Sequence, residues 1–389
     1  MIGASNMGNP FVIFSDAGLP WVYPLALELG RLGPTVAVNL TSSIPFAGSK
    51  SRWSYDDPEK LTQRETWAYP PGFVSKLKFI FRPFIKARLS RTMKNLYRKS
   101  GERPYLIALY PWNYQYVTDV DPARLIYLNY DDYFVNSDQE IRKEDDLERK
   151  LIERSGTILC SSISQTERFK KSFPQRMADI FHFPHGVHKQ FINPFPSHIK
   201  EPRSVSIVGS LTSRYDWELI RKVTQKLTDV SFLFAGGIET ETHYGQKPEW
   251  KDCMDEVLTF TNVRHISGLK HRESPPLYWH SAANWMPYMA SLPFVKACCP
   301  LKIPDGLASG HPIISADVPE CRLYPEWVRI YRNADEAVEM IADALANSDT
   351  SEARERRFAQ VEFAYKNTWA ARGKKLFEIL ERDSARSQN

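Results

Sequence analysis

Two aspartates, Asp131 and Asp132, stand side by side directly after the mostly apolar run 124–130. Carboxylates at the end of a strand can take a proton from a bound hydroxyl, although such a pair can equally cap a helix or sit in a loop. Asp132 would orient Asp131 or raise its pKa through like charge. A second pair, Lys302 and Asp305, lies one turn apart in a helical stretch that ends at Gly310, with Pro312 beyond it. The lysine is placed to neutralise a diphosphate and the carboxylate to accept bonds from ribose hydroxyls; the plainer alternative is a surface ion pair. Gly209-Ser210 follows the apolar run 205–208, and Arg214 precedes the next helix. Glycine there lets backbone donors approach a phosphate and the guanidinium adds charge, though an ordinary turn with a solvated arginine uses the same residues. Gly236-Gly237 repeats the pattern one unit later.

His182, His185 and His188 are evenly spaced, but Pro184 and Gly186 break any helix that would align them for a metal. His182 is read as structural, and His185, in the turn 184–187, as a contact to a diphosphate or sugar. The sequence calls for no metal and no other cofactor.

The elements that must position these groups are short apolar segments bounded by Gly, Pro and polar residues, which read as buried parallel strands. Strands are predicted at 11–14, 35–39, 105–110, 125–128, 157–161, 205–208, 232–235, around Ile266, at 284–288 and at 313–316. Helices are predicted at 20–32, 140–154, 164–173, 216–227, 302–309 and 334–345, with a longer helical region over 352–381. Segment 41–71 has little periodicity and is expected to be a long loop, and the proline-rich stretch 191–203 is expected to be a linker. Strands alternating with helices imply helix-covered parallel sheets. With 389 residues the chain can build two domains, each with its own core.

The order Pro300-x-Lys302-x-x-Asp305-x-Leu-Ala-Ser-Gly310-x-Pro312 resembles the donor-site helix of bacterial glycosyltransferases of the GT-B fold, and the similarity of order and spacing covers most of residues 120–320. Within that fold the chain resembles the membrane-associated glucuronosyltransferases of xanthan assembly and related exopolysaccharide enzymes. The resemblance implies two Rossmann-like domains with parallel sheets facing an interdomain cleft and a C-terminal helix crossing back. The spans expected are 1–195 for the acceptor domain, 204–365 for the donor domain and 366–389 for the returning helix. A UDP-sugar would be held by Gly209, Ser210, Arg214, Gly236, Gly268, Leu269, Tyr288, Lys302, Asp305 and His185. Asp16 and Gly18, in the turn after the first strand, would meet a lipid-linked or glycan acceptor. Asp131, with Asp132, matches the strand end that carries the catalytic aspartate, which implies an inverting transfer with Asp131 as general base.

The sequence also departs from the pattern. Retaining members carry two glutamates eight positions apart; the second falls on Asp305 and the first on Ala297, which has no carboxylate. The xanthan enzyme has a glutamine in place of Asp305 and an acidic residue in place of Leu269. Retention, or a transferase-like fold that only docks partners at membranes, are the alternatives.

Composition adds a location. Between Tyr69 and Ser100 lie Lys76, Lys78, Arg82, Lys86, Arg88, Arg91, Lys94, Arg98 and Lys99, and no acidic residue. Apolar residues recur among them at three- and four-residue steps, which predicts a basic amphipathic helix over about 73–99, interrupted or bent near Pro83. A helix packed on its domain is one reading; nucleic acid is another, but no nucleic-acid motif accompanies it. An anionic membrane surface is the partner expected, since cations and apolar groups share one helix. No apolar run reaches bilayer length and the first residues lack a basic flank followed by an apolar core, so the expected place is cytoplasmic, peripheral on the inner face of the cell membrane. The five cysteines show no ligand-like spacing and are expected to be reduced thiols.

Overall fold

The computed structural model describes residues 8–15, 22–41, 62–68, 78–132, 141–239 and 249–386. Two parallel sheets form the frame. The first contains β1 (Phe11–Ser15), β2 (Thr35–Thr41), β3 (Thr62–Ala68), β4 (Tyr105–Ala108), β5 (Arg124–Asn129), β6 (Thr157–Cys160) and β7 (Ile180–His182), in the spatial order β3-β2-β1-β4-β5-β6-β7. The second contains β8 (Glu201–Val208), β9 (Ser231–Ala235), β10 (Val263–Ile266), β11 (Ser281–Met286), β12 (Ile313–Ala316) and β13 (Val328–Tyr331), ordered β10-β9-β8-β11-β12-β13.

In each sheet the chain first builds outward on one side and then returns to build on the other. The crevice where the strand order reverses lies between β1 and β4 in the first sheet and between β8 and β11 in the second. Open parallel sheets bind ligands beyond the carboxyl ends of the strands at such points.

Helices α1 (Val22–Leu32), α2 (Lys78–Ser100), α3 (Tyr114–Val117), α4 (Ile141–Arg154) and α5 (Ile163–Ser172) belong to the first half. The second half carries α6 (Trp217–Lys226), α7 (Trp250–Leu258), α8 (Pro275–His280), α9 (Pro293–Ala297), α10 (Lys302–Ser309), α11 (Ala334–Ala346) and α12 (Ser351–Lys366). The helical region expected over 352–381 consists of α12 and α13 (Trp369–Arg386), separated at Asn367 and Thr368. The break lets the chain turn back. Val187 N–H donates to the Asn367 carbonyl at 2.9 Å and Trp369 N–H to the Val187 carbonyl at 3.1 Å. A β-carbon on Gly186 would lie 2.7 Å from the Trp369 nitrogen, so this crossing has no room for a side chain. Beyond it, Trp369, Leu376, Ile379 and Leu380 bury into the same core as Phe11, Tyr23 and Leu25.

Three expectations are corrected. The segment expected as a loop from 41 to 71 includes β3, which pairs in parallel with all seven residues of β2. Its sequence, Thr-Gln-Arg-Glu-Thr-Trp-Ala, lacks the apolar run of the inner strands: β3 is the edge strand, with Trp67 entering the core on one face and Thr62 and Arg64 meeting Tyr23 on the other. The predicted strand 284–288 ends at Met286. Of the two alternatives at Pro83, interruption does not occur: α2 is one helix through it.

The apolar stripe of α2 also serves a different purpose from the one expected. Ile85, Leu89, Met93 and Leu96, spaced four, four and three residues apart, are buried in the core of the first half together with Val12, Phe14 and Leu106. A face spent on its own domain cannot also enter a bilayer, so what α2 offers outward is mainly its cations. Among these, Lys86 pairs with Asp119 at 2.8 Å, and Arg88 meets Glu65 at 3.6 Å and covers the Trp67 ring. Arg91 and Lys94 are exposed, and Arg82 is half-buried. Lys76 and the side chain of Lys78 lie outside the described residues. Among the described residues no helix is long and apolar enough to cross a membrane.

Candidate active site

The second sheet assembles a cationic corner at its strand-order reversal. Gly209 ends β8 with φ +123°, a conformation side chains rarely adopt, and a β-carbon there would lie 2.7 Å from Lys302 Nζ. Gly236, after β9, is equally constrained: its β-carbon would meet the Gly209 carbonyl oxygen at 2.3 Å. The two glycine turns therefore stack on each other, and Ser210 is left exposed above them. Lys302 opens α10, and its ammonium donates to the Tyr288 hydroxyl at 3.0 Å, with the Tyr288 and Tyr215 ring centres 5.2 Å and 5.5 Å away. Loops after β8 and β11 are laced together by Met289 N–H to the Arg214 carbonyl at 2.8 Å and Asp216 N–H to the Pro287 carbonyl at 2.9 Å. The Arg214 side chain is steadied by the Thr212 hydroxyl at 3.2 Å and Glu239 at 3.4 Å.

Asp305 departs from the expected free acceptor of ribose bonds. Its side chain is buried, 4% exposed, and Oδ2 lies 3.0 Å from His271 Nε2. Nor is it in the i,i+3 pair with Lys302. Burial alone would lower the His271 pKa, but the bond to Asp305 and its charge outweigh that and raise it. His271 also packs at a tilt against Phe191, with ring centres 4.6 Å apart. His271 carries no signal in the sequence, since nothing local links 271 to 305.

Across from this corner, Asp131 follows β5 at its carboxyl end. Its backbone is held from below: Asn129 Nδ2 donates to the Asp131 carbonyl at 2.9 Å. Asn129 is itself buried in a network with the Tyr127 hydroxyl at 3.2 Å and Glu148 at 3.3 Å, while Arg168 reaches the other Glu148 oxygen at 3.3 Å. Burial raises the Asp131 pKa from 3.8 to about 7; the Asp132 amide and the Arg214 charge oppose the shift, and the Asp132 charge adds a smaller push upward. Asp132 orients its neighbour chiefly through its amide, which donates to Asp131 Oδ1 at 2.9 Å.

The two halves of this constellation meet. Arg214 acts on Asp131 across the gap, and the buried Cys298 thiol, raised first by burial and next by Asp131, is also within the fields of Arg214 and Lys302. The charge of Arg214 therefore reaches the carboxylate of the first sheet, and Lys302 lies on the same side of the second, joined through Tyr288 to the Met289 that bonds the Arg214 carbonyl. A cavity of about 470 Å3 opens beside the two aspartates, with Asp132, Ser164 and Arg168 on one wall and Lys296, Asp317 and Arg322 on the other.

Several solved structures share this architecture. No protein-family profile matches the chain. Over 206 residues, half of this chain, it is 23% identical to the putative teichuronic acid biosynthesis glycosyltransferase TuaH of Bacillus subtilis, and spans about half (49%) of that relative's length. Sucrose-phosphate synthase of Thermosynechococcus elongatus superposes with TM-score 0.69 at 15% identity, covering 97% of this chain and 100% of that one. A glycosyltransferase from Rickettsia africae gives 0.67 at 11% identity, with 97% and 99% covered. HepE of Anabaena, solved in complex with UDP-glucose, gives 0.67 at 11% identity, with 96% and 100% covered. The chain has the GT-B fold.

In this GT-B protein the remaining site positions divide clearly. His185 was expected to touch a ligand, but it is 8% exposed, stacked on Tyr130 at 5.2 Å, and neutral because burial, helped by Arg372, lowers its pKa to about 3. It packs the interdomain turn. Gly268, at φ +76°, forms the turn after β10 with open space around its α-carbon, and Leu269 leans on the core of the second half. Asp16 and Gly18 lie outside the described residues. His182 lies 2.9 Å from Glu320, and His188 Nδ1 accepts from Gln190 N–H at 3.3 Å; among the described residues no group of His, Cys, Asp and Glu is arranged to hold a metal ion. The sequence also holds Asp119-Val-Asp121, a spacing able to hold a divalent ion, but these carboxylates precede β5 at the opposite sheet edge from Asp131 and pair with Lys86 and Arg103, each at 2.8 Å. All five cysteines are buried and unpaired.

Proposed function

We propose that this chain is a glycosyltransferase that moves a sugar from a UDP-sugar to a membrane-associated, lipid-linked glycan acceptor in bacterial polysaccharide synthesis, with inversion at the anomeric carbon. The observation that carries the reading is that the charge of Arg214 reaches Asp131, while the Arg214 carbonyl bonds Met289 beside the Tyr288 that accepts from Lys302. Asp131 takes the proton of the acceptor hydroxyl as its oxygen attacks the anomeric carbon. The bond from that carbon to the diphosphate breaks on the opposite face, and the charge left on UDP is met by Lys302 and Arg214. A base with pKa about 7 is suited to this step at neutral pH, being both deprotonated and basic enough.

Inversion is favoured over retention because Ala297 offers no carboxylate where retaining enzymes have one. UDP as the donor's nucleotide is supported by the fold shared with HepE, which was solved with UDP-glucose. The membrane-side acceptor is supported by the outward cations of α2 and by Phe84 among them, 71% exposed. The spans 1–195, 204–365 and 366–389 serve as acceptor domain, donor domain and returning helix in this reading.

Calorimetry with UDP, followed by a hydrolysis screen over a panel of nucleotide sugars, tests the proposal. Binding of UDP and turnover of one donor are expected. No UDP binding would favour a docking protein built on the same fold.

A further inference from the structure

Glu320 belongs to the second half, in the loop between β12 and β13, yet its partners are in the first. One oxygen accepts from the Ile163 backbone N–H at 2.8 Å, the first amide of α5, and the other lies 2.9 Å from His182 Nε2 at the end of β7. The residue is 1% exposed. Arg372, on α13, adds its charge to the same neighbourhood. Next to it, the Ser162 hydroxyl caps α5 by accepting from Gln165 N–H at 3.2 Å and donates to the Ala297 carbonyl at 2.6 Å. The start of α5 therefore grips two loops of the opposite domain, one leading into α10 with Lys302 and one carrying Glu320.

These two loops and α5 are also the walls of the cavity beside Asp132. An anion shut between domains must be fully bonded there or hydrated elsewhere, because a buried carboxylate without partners is costly. Glu320 has such bonds where the walls touch, and would take water if they parted. We propose that Glu320 is a positioning residue that sets the closure of the interdomain cleft, by holding the wall at 317–322 against the start of α5 so that Asp131 faces Lys302 and Arg214. This rests on the transferase reading for its consequence in catalysis, and on geometry alone for the closure itself.

The test uses the full chain with Glu320→Ala and the milder Glu320→Gln, whose amide oxygen still accepts from Ile163. Amide hydrogen exchange at Ile163 reports the contact directly; UDP calorimetry reports the donor half; kcat and KM for the acceptor report the assembled site. In Glu320→Ala the Ile163 amide should exchange about tenfold faster or more, kcat should fall by a similar factor and acceptor KM rise, with UDP affinity within about twofold of the parent. Glu320→Gln should fall between, and stands in if the alanine variant does not fold. Unchanged exchange and kcat with UDP bound normally would overturn the inference, and so would loss of UDP binding in both variants, which would mark Glu320 as general support for the fold. If the parent chain itself binds no UDP, the transferase reading fails, while the exchange measurement still decides the closure.

Discussion

Lys302 and Gly209 share one space: the lysine ammonium lies 2.7 Å from where a β-carbon on the glycine would be. The positive end of the donor corner therefore depends on a missing side chain 93 positions earlier in the chain, and each residue explains the other's type.

Gly209→Ala should act twice. At φ +123° an alanine is strained, costing about 1–3 kcal/mol of stability, and the ammonium must move aside. Denaturant midpoints and UDP calorimetry should both show a loss; unchanged values in both would remove the glycine from the site.

Asp131→Asn should abolish transfer and leave UDP binding intact. In the parent chain, kcat/KM should rise with pH through about 7 as Asp131 gives up its proton. Stability runs the other way. The folded pKa is raised above 3.8, so the folded chain holds more protons than the unfolded one between pH about 4 and 7, and stability falls as pH rises across that window and then levels. The asparagine variant should lack this fall and be the more stable protein at pH 8, as urea titrations at pH 4.5 and pH 8 would reveal.

Tyr288→Phe removes one hydrogen bond to Lys302 but not the charge, so UDP affinity should weaken by about 0.5–1.5 kcal/mol. Lys302→Met removes the charge and should cost clearly more. Equal effects would mean that the lysine acts through the tyrosine and not on the ligand.

Asp305→Asn takes away the carboxylate that holds the His271 pKa up, so an NMR titration of that imidazole should show its midpoint falling. With a raised folded pKa, His271 adds stability that is full below the ordinary value of 6.5 and lost as pH rises through the folded one. That pH-dependent part should disappear in the variant.

Reversing Arg91 and Lys94 to Glu should reduce flotation with anionic vesicles, and more strongly at low salt, since surface charges are screened within about 8 Å at physiological ionic strength. UDP binding should not change, because α2 lies on the core of the first half and away from the donor corner. Flotation that survives the reversal would assign the membrane contact to another surface.

The sequence by itself determined the alternation of strands and helices, the reach of α10 from Lys302 to Ser309, and its stop at Gly310, which takes the left-handed conformation at φ +80°. These are local matters, decided by apolar runs and turn chemistry within a few neighbouring residues. It also picked out Asp131, Arg214 and Lys302 as separate candidates. Only the tertiary structure decided that the charge of Arg214 reaches Asp131, that Asn129 and Glu148 support the Asp131 turn, that His271 occupies Asp305, and that Glu320 reaches Ile163 and His182. Likewise the apolar stripe of α2 was visible in its spacing, but whether it met a bilayer or its own sheet was settled by packing on β1 and β4. Periodicity describes which face of an element is apolar; what that face or a lone side chain meets depends on residues that come close only when the chain has folded.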